Sequence, residues 1–472
     1  MKENRVDFRF ANWMIYFELI YVLILFIFFV VGREERSDIT FYIGLAAFLV
    51  IVIGLCAALT LNAELKARLA LLFGSLLVST LMIEGILLFQ QVLQRQQAEN
   101  VHSQVAEIRM DSRNRVEVAN DLQASGIEAY PYVAPSILLT MDSDEEPLPF
   151  LPLAGISNVV TVFCDESSGH SIYQSDQYGF NNPSNQFANQ QIQAVLVGDS
   201  FTHGACVSRQ HTIAAQLNEL GLANYNVAIS GNGPLVELAS IREFGSALEP
   251  PIVLWFYFEG NDLWNLLSER SSLLLNYLDP DFSQKLLTRQ AETDVLLHRY
   301  LEKAQERANE IVSFEPFDES TGRASIVQFI KLTALRELVA ESVGDILRSE
   351  QPSSNTLLEQ LPLFKQVMAR ATEEVDAWGG TLYFVYLPSP QRYLANSRGP
   401  VQLFHDDVLS IVSDLGIPII DMKPVFDEHN APRELFALPV WSHYSPAGYK
   451  LVSQEVYKYI SRHHDDLGQT IK

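Results

Sequence analysis

The chain opens with three long apolar runs, Trp13 to Val31, Ile39 to Leu61 and Leu69 to Leu93, which restrict its folding more than any later feature. A helix needs about 20 residues to cross a hydrocarbon core, and each run is long enough. A cleaved secretory leader would have a shorter apolar stretch ending in small residues, with no further runs behind it. The expectation is a membrane domain over residues 1–94 with three transmembrane helices in contact with lipid. Flanking cations set its orientation. Lys2, Arg5, Arg9, Lys66 and Arg68 lie on one side, and Arg33, Arg36 and Arg95 on the other. That excess puts the N-terminus in the cytoplasm and, after three crossings, everything beyond about residue 95 outside it. Glu18 and Glu84 fall inside the first and third runs. A carboxylate there is either a partner or proton site, or a group neutralised or paired within the bundle.

The remainder of the chain is acidic. In all, 33 Lys and Arg stand against 57 Asp and Glu, for a net charge of −24. Affinity for a phosphate backbone comes largely from clustered cations, so nucleic acid is excluded as a partner. Three cysteines cannot make a disulfide scaffold or a four-cysteine zinc site, and no metal or cofactor is suggested. Cys164 and Cys206 both lie in the extracytoplasmic part, where a bridge is permitted but not required. Cys56, inside the second run, reads as packing.

Residues 95–170 read as a connector. A Gln-rich helical stretch (Gln90 to Gln104) leads through polar sequence to an acidic, Pro-containing one, Asp142 to Pro152. From about residue 190 strands and helices alternate: strands at Gln193–Val197, Tyr225–Ile229 and Ile252–Phe258, helices at His211–Leu220 and Leu235–Phe244. Such alternation implies a parallel sheet covered on both faces. It stops at a helical insertion over about 263–350, broken at Phe314–Gly322. It resumes with a helix at Leu357–Trp378, strands at Leu382–Tyr386 and Ile417–Ile420, and a last helix from Pro446 towards His463.

Ligands of an open parallel sheet bind beyond the carboxyl ends of its strands. Gly198-Asp199-Ser200-Phe201-Thr202 follows the first strand, so Ser200 can expose its hydroxyl at a helix N-terminus, or simply cap that helix. Ser230-Gly231-Asn232-Gly233 follows the second strand and Glu259-Gly260-Asn261-Asp262 the third. There Gly231 offers an unshielded N–H and Asn261 an amide, unless both only make turns. Trp441-Ser442-His443-Tyr444-Ser445-Pro446 places a histidine just before the final helix, suited to a general base. His203 either touches substrate or lies on the first helical turn.

In that order the four blocks resemble the SGNH (GDSL-type) hydrolase superfamily. Gly198-Asp199-Ser200 matches its serine block, Asn226-Val227-Ala228-Ile229-Ser230-Gly231 its glycine block, Gly260-Asn261-Asp262 its asparagine block, and His443 with Gly448 its histidine block. Ser175 to Pro183 resembles a segment that precedes the serine block in membrane-anchored bacterial members. The resemblance implies a three-layer α/β/α domain over 171–472, with Ser200 as nucleophile and His443 as base. It also implies an oxyanion site from Ser200, Gly231 and Asn261, and a catalytic domain outside a bacterial inner membrane. The family's usual Asp, three residues before the histidine, is here Val440. Asp421, Asp427 or Glu434 would have to serve in its place, or a backbone carbonyl in a Ser–His dyad.

The expected function is a membrane-anchored serine esterase or O-acyltransferase. By resemblance, its substrate is an acylated, O-acetylated cell-envelope or extracellular glycan. One rival is a non-catalytic glycan-binding partner of a membrane acyltransferase or polysaccharide exporter. Another is a lipase whose acyl groove comes from Leu273–Leu278.

Overall fold

The computed structural model describes residues 8–31, 38–108, 113–134, 137–139, 150–166, 169–188, 191–270, 273–312, 354–393, 404–438 and 442–464. The described residues form two compact units, one ending at His102 and one beginning at Ser103.

Three helices carry most of the described residues of the first unit: α1 (Phe8–Val31), α2 (Asp38–Ala58) and α3 (Ala63–Ile108), whose last residues fall past its end. Their burial is inverted relative to a bundle in water. Trp13 is 74% exposed and Val50 70%, whereas Glu18 is 5% exposed and Glu84 is fully buried. Ile15, Leu55, Ala58 and Ala70 form the packed seam. Among the described residues one segment, Glu64–Leu87 of α3, is long and apolar enough to cross a membrane; shorter apolar stretches run Asn12–Leu23 and Phe48–Ala58. Of the three expected spans, one meets that criterion.

Five parallel strands form the centre of the second unit: β4 (Ala194–Gly198), β5 (Asn224–Asn226), β6 (Ile252–Phe258), β7 (Thr381–Leu387) and β8 (Ile419–Asp421). Their order is β5-β4-β6-β7-β8. The sequence Ile-Val-Leu-Trp-Phe-Tyr-Phe of β6 is buried throughout, as a strand covered on both faces must be. Val253, Trp255 and Tyr257 enter one core, packed under α7 (Pro234–Ser240), α10 (Leu361–Ala377) and α11 (His405–Asp414). Ile252, Leu254, Phe256 and Phe258 enter the other, under α6 (Ile213–Glu219) and α12 (Pro446–His463). The result is the expected three-layer α/β/α arrangement. The second strand is shorter than expected, because the chain turns away soon after Val227 N–H donates to Leu196 O. From β4 the chain passes to β5 on one side and then to β6 on the other. The loops after all three strands therefore meet at the switch point where open sheets hold ligands.

Residues 95–170 are more than a connector. Asn114 starts α4 (Arg115–Ala124) with a reciprocal cap: its side chain accepts Val116 and Glu117 N–H, and the Glu117 carboxylate accepts Asn114 N–H. A small sheet follows, with β1 (Ala129–Pro131) parallel to β2 (Val160–Val162) and β2 antiparallel to β3 (Ile172–Gln174). Strands of three residues are too short to show a period, so the segment reads as linker in the sequence. Asp176 then gathers Tyr178 N–H, Phe180 N–H and the Tyr225 hydroxyl, and Asn182 exchanges two hydrogen bonds with Asn226 on β5. The Ser175–Pro183 stretch thus covers the edge of the main sheet.

The insertion begins with α8 (Asp262–Glu269) and includes α9 (Gln290–Val312). Leu273–Leu278 is a 3-10 turn whose Leu274 and Tyr277 are fully buried in the core, which accounts for its apolar character as packing. The expected break at Phe314–Gly322, and Val440 with Trp441, lie outside the described residues.

Candidate active site

The turn that carries Ser200 is built by two of its neighbours. A Cβ on Gly198 would lie 2.3 Å from Thr202 Oγ1 and 2.9 Å from Phe256 O, so only glycine lets β4 fold back this tightly. Asp199 then caps the short helix α5 (Ser200–His203) by accepting Phe201 N–H at 2.9 Å. Ser200 is the first helical residue, with its Oγ 2.9 Å from His443 Nε2. His443 is held by its surroundings. Ala437 N–H donates to His443 O, while Tyr444, fully buried beside it, donates its hydroxyl to Pro388 O.

The far side of the imidazole meets a residue absent from the sequence-based set. His443 Nδ1–H donates to Glu166 Oε1 at 2.7 Å, and His443 N–H donates to Glu166 Oε2 at 2.9 Å. With Nδ1 carrying the proton, Nε2 is left to accept the Ser200 hydroxyl proton. The three acids weighed from sequence lie elsewhere. Asp421 binds His405 and caps the next turn through Lys423 N–H; Asp427 pairs with Lys423 and Tyr393; Glu434 is exposed. These are corrections: Asp421 and Asp427 are engaged in local caps or ion pairs, and Glu434 lies at the surface, so Glu166 is the acid at His443. The available signal was Cys164, two residues before Glu166. It is bonded to Cys206, six residues after Ser200, so the bridge left open in the sequence is present.

Gly231 and Asn261 lie in the loops after β5 and β6, the two strands that pair with β4. No hydrogen bond from Ser200 N–H or Gly231 N–H is made to another described residue. Gly231 has φ +87°, a left-handed turn that suits glycine. Asn261 opposes the rise in the Asp199 pKa that burial causes. The peptide before Gly231 is clamped from both ends. Tyr132 donates its hydroxyl to Ser230 O at 2.7 Å, and Ser230 N–H donates to His203 Nδ1 at 3.2 Å. His203 lies on the first helical turn, fully buried, stacked on Phe163 at 4.4 Å and 3.0 Å from the Tyr173 hydroxyl through Nε2. Burial, and then the electrostatic influence of His443, push its pKa down to about 3, so it stays neutral. Glu269 fixes the other side of this loop by accepting Gly233 N–H at 2.6 Å and Leu235 N–H at 2.9 Å.

Behind these loops lie four buried carboxyl groups: Asp199, Glu237, Asp262 and Glu269. Burial raises the pKa of each, and neighbouring acids push Glu237 and Asp262 further in the same direction. The region is thus less negative than its acid count suggests. In so dry a setting a hydrogen bond to a developing oxyanion is stronger than in water. A carboxylate, a sulfur and an imidazole also converge at Glu166, Cys206 and His443. The sulfur is committed to the disulfide, and both ring nitrogens of His443 are engaged.

No family model and no curated protein matches the sequence. Solved structures similar to it at a distance are GDSL-type lipolytic hydrolases. A lipase/acylhydrolase from Enterococcus faecalis is 12% identical over 57% of this chain and 96% of its own, with a TM-score of 0.31. A member of the lipolytic protein G-D-S-L family from Veillonella parvula is 10% identical over 57% and 98%, at 0.30. A psychrotrophic esterase from Pseudoalteromonas sp. is 10% identical over 57% and 97%, at 0.28. Likenesses this distant assign no activity to the chain.

Proposed function

We propose that this chain is a membrane-anchored serine esterase or O-acyltransferase of SGNH type, acting outside the cytoplasm on acylated, O-acetylated envelope or extracellular glycan. One observation carries the reading: the continuous relay from Ser200 Oγ through His443 to Glu166, at 2.9 and 2.7 Å. In the reaction, His443 Nε2 takes the Ser200 proton as Oγ attacks the ester carbonyl, and Glu166 stabilises the imidazolium so formed. The Ser200 and Gly231 N–H groups and the Asn261 amide stabilise the oxyanion. His443 returns the proton to the leaving alcohol, giving an acyl-Ser200 intermediate. Water, or a sugar hydroxyl activated by the same histidine, then takes the acyl group.

The extracytoplasmic location is supported by the cation bias around the apolar runs and by the Cys164–Cys206 bridge, which suits an oxidising compartment. The outward-facing apolar side chains of α1, α2 and α3 support a three-span anchor. The glycan substrate rests on the resemblance to anchored members of the superfamily.

The test is turnover of a short-chain aryl acetate by the full chain in detergent, beside Ser200→Ala and His443→Ala. Loss in both variants supports the esterase. If the parent is as inert as the variants, even with an acetylated glycan donor present, a non-catalytic partner role replaces it.

A further inference from the structure

Glu166 does not belong to the parallel sheet that carries the other groups of the site. It follows β2, in the small sheet, on a stretch with little regular structure of its own. Noncovalent ties between that sheet and the site run through Tyr132, Tyr173 and Phe163 to Ser230 and His203, on the oxyanion side. The covalent tie is placed differently. Cys164, two residues from Glu166, is bonded to Cys206, whose sulfur lies 3.6 Å from His443 Nδ1. Cys206 itself sits at φ +59°, a conformation that a non-glycine residue keeps only where its surroundings impose it.

We propose that the Cys164–Cys206 disulfide is a positioning element of the active site, latching Glu166 onto His443 so that the complete Ser–His–Glu relay exists only in the oxidised chain. The proposal rests on the reading of Ser200 as nucleophile. Reduction by a dithiol moves two electrons and two protons onto the bridge, leaving two thiols, while the reductant closes to its own disulfide. Ser200 and His443 remain on the main sheet, but Glu166 loses its anchor, and the imidazolium loses its fixed counter-charge. Activity falls towards that of a Ser–His dyad. The cysteines touch no reacting atom and act through Glu166.

The experiment measures the rate at which a fluorophosphonate labels Ser200 of the full chain in detergent, read by intact mass. It compares the parent, Glu166→Gln, the pair Cys164→Ala/Cys206→Ala, and the triple variant. Glu166→Gln is expected to slow labelling by on the order of a thousandfold. The cysteine pair is expected to slow it by about tenfold or more, and the triple variant to label within about twofold of Glu166→Gln alone, because a latch has nothing left to position. Reducing and then reoxidising the parent should lower and then restore the rate. The proposal is overturned if the cysteine-free variant labels like the parent. It is equally overturned if its loss adds in full to that of Glu166→Gln, which marks a general effect on folding. A parent that resists labelling at Ser200 refutes the nucleophile reading itself, a result distinguishable from both.

Discussion

Glu166 and His443, 277 residues apart, are joined through two hydrogen bonds, one from the imidazole and one from the main-chain amide of the histidine. A carboxylate that binds the ring N–H and the backbone N–H of one residue fixes both the tautomer and the orientation of the ring. Changing Glu166 to Gln keeps the shape but loses the charge that stabilises the imidazolium. Ester turnover should fall by on the order of a thousand- to ten-thousandfold in kcat, with KM little altered. Steady-state kinetics of the full chain checks this, and a loss confined to KM would contradict it.

Asn261 offers the only side-chain donor expected at the oxyanion. Its replacement by Ala should lower kcat by about 100- to 1000-fold without a comparable change in KM, as befits a bond that strengthens in the transition state. A thermal melt should accompany the kinetics, to separate a loss of stability from a loss of turnover.

The clamp on Ser230 gives a separate handle on the loop that carries Gly231. Tyr132→Phe deletes the donor to Ser230 O and should destabilise the fold by about 1 kcal/mol. His203→Phe leaves the Ser230 N–H without its acceptor, at a cost of about 1–3 kcal/mol. Denaturant unfolding measures both. Because neither side chain touches the Ser200 hydroxyl, their effect on turnover should lie well below that of His443→Ala.

Glu269 makes the fold pH-dependent. Burial raises its pKa from 4.5 to about 7, against the opposing pull of the Gly233, Leu235 and Val236 amides. Between those values the folded chain holds a proton that the unfolded chain has lost, so stability falls as pH rises from about 4.5 to 7 and is flat, for this group, above that. The whole shift corresponds to about 3 kcal/mol. Unfolding curves across that range should show the slope, reduced in Glu269→Gln. An unchanged slope in the variant would assign it to the other buried acids.

Much of this organisation is local, and therefore legible in the chain itself. The unbroken apolar run of β6 announces a strand buried on both faces, and the turns after β4, β5 and β6 announce themselves by Gly, Ser and Asn at fixed offsets. Because a parallel sheet brings consecutive strand ends to one edge, their order alone places Ser200, Gly231 and Asn261 near one another. His443 enters the same neighbourhood by preceding the helix that returns under β4.

Glu166 was not legible in that way. It stands outside the alternating pattern, between strands of three residues with no period to detect, and nothing near His443 in sequence points back to it. Asp421, Asp427 and Glu434 all precede His443 by 22 residues or fewer, yet two are taken up by local partners and Glu434 remains at the surface. Pairing across 277 residues is decided by packing: the small sheet docks on the main one and a disulfide closes beside Ser200. Sequence determined the main sheet and the residues at its edge, because those depend on local burial and turn chemistry. Tertiary structure alone chose the acid, because that choice depends on which carboxylate the folded chain leaves free beside the imidazole.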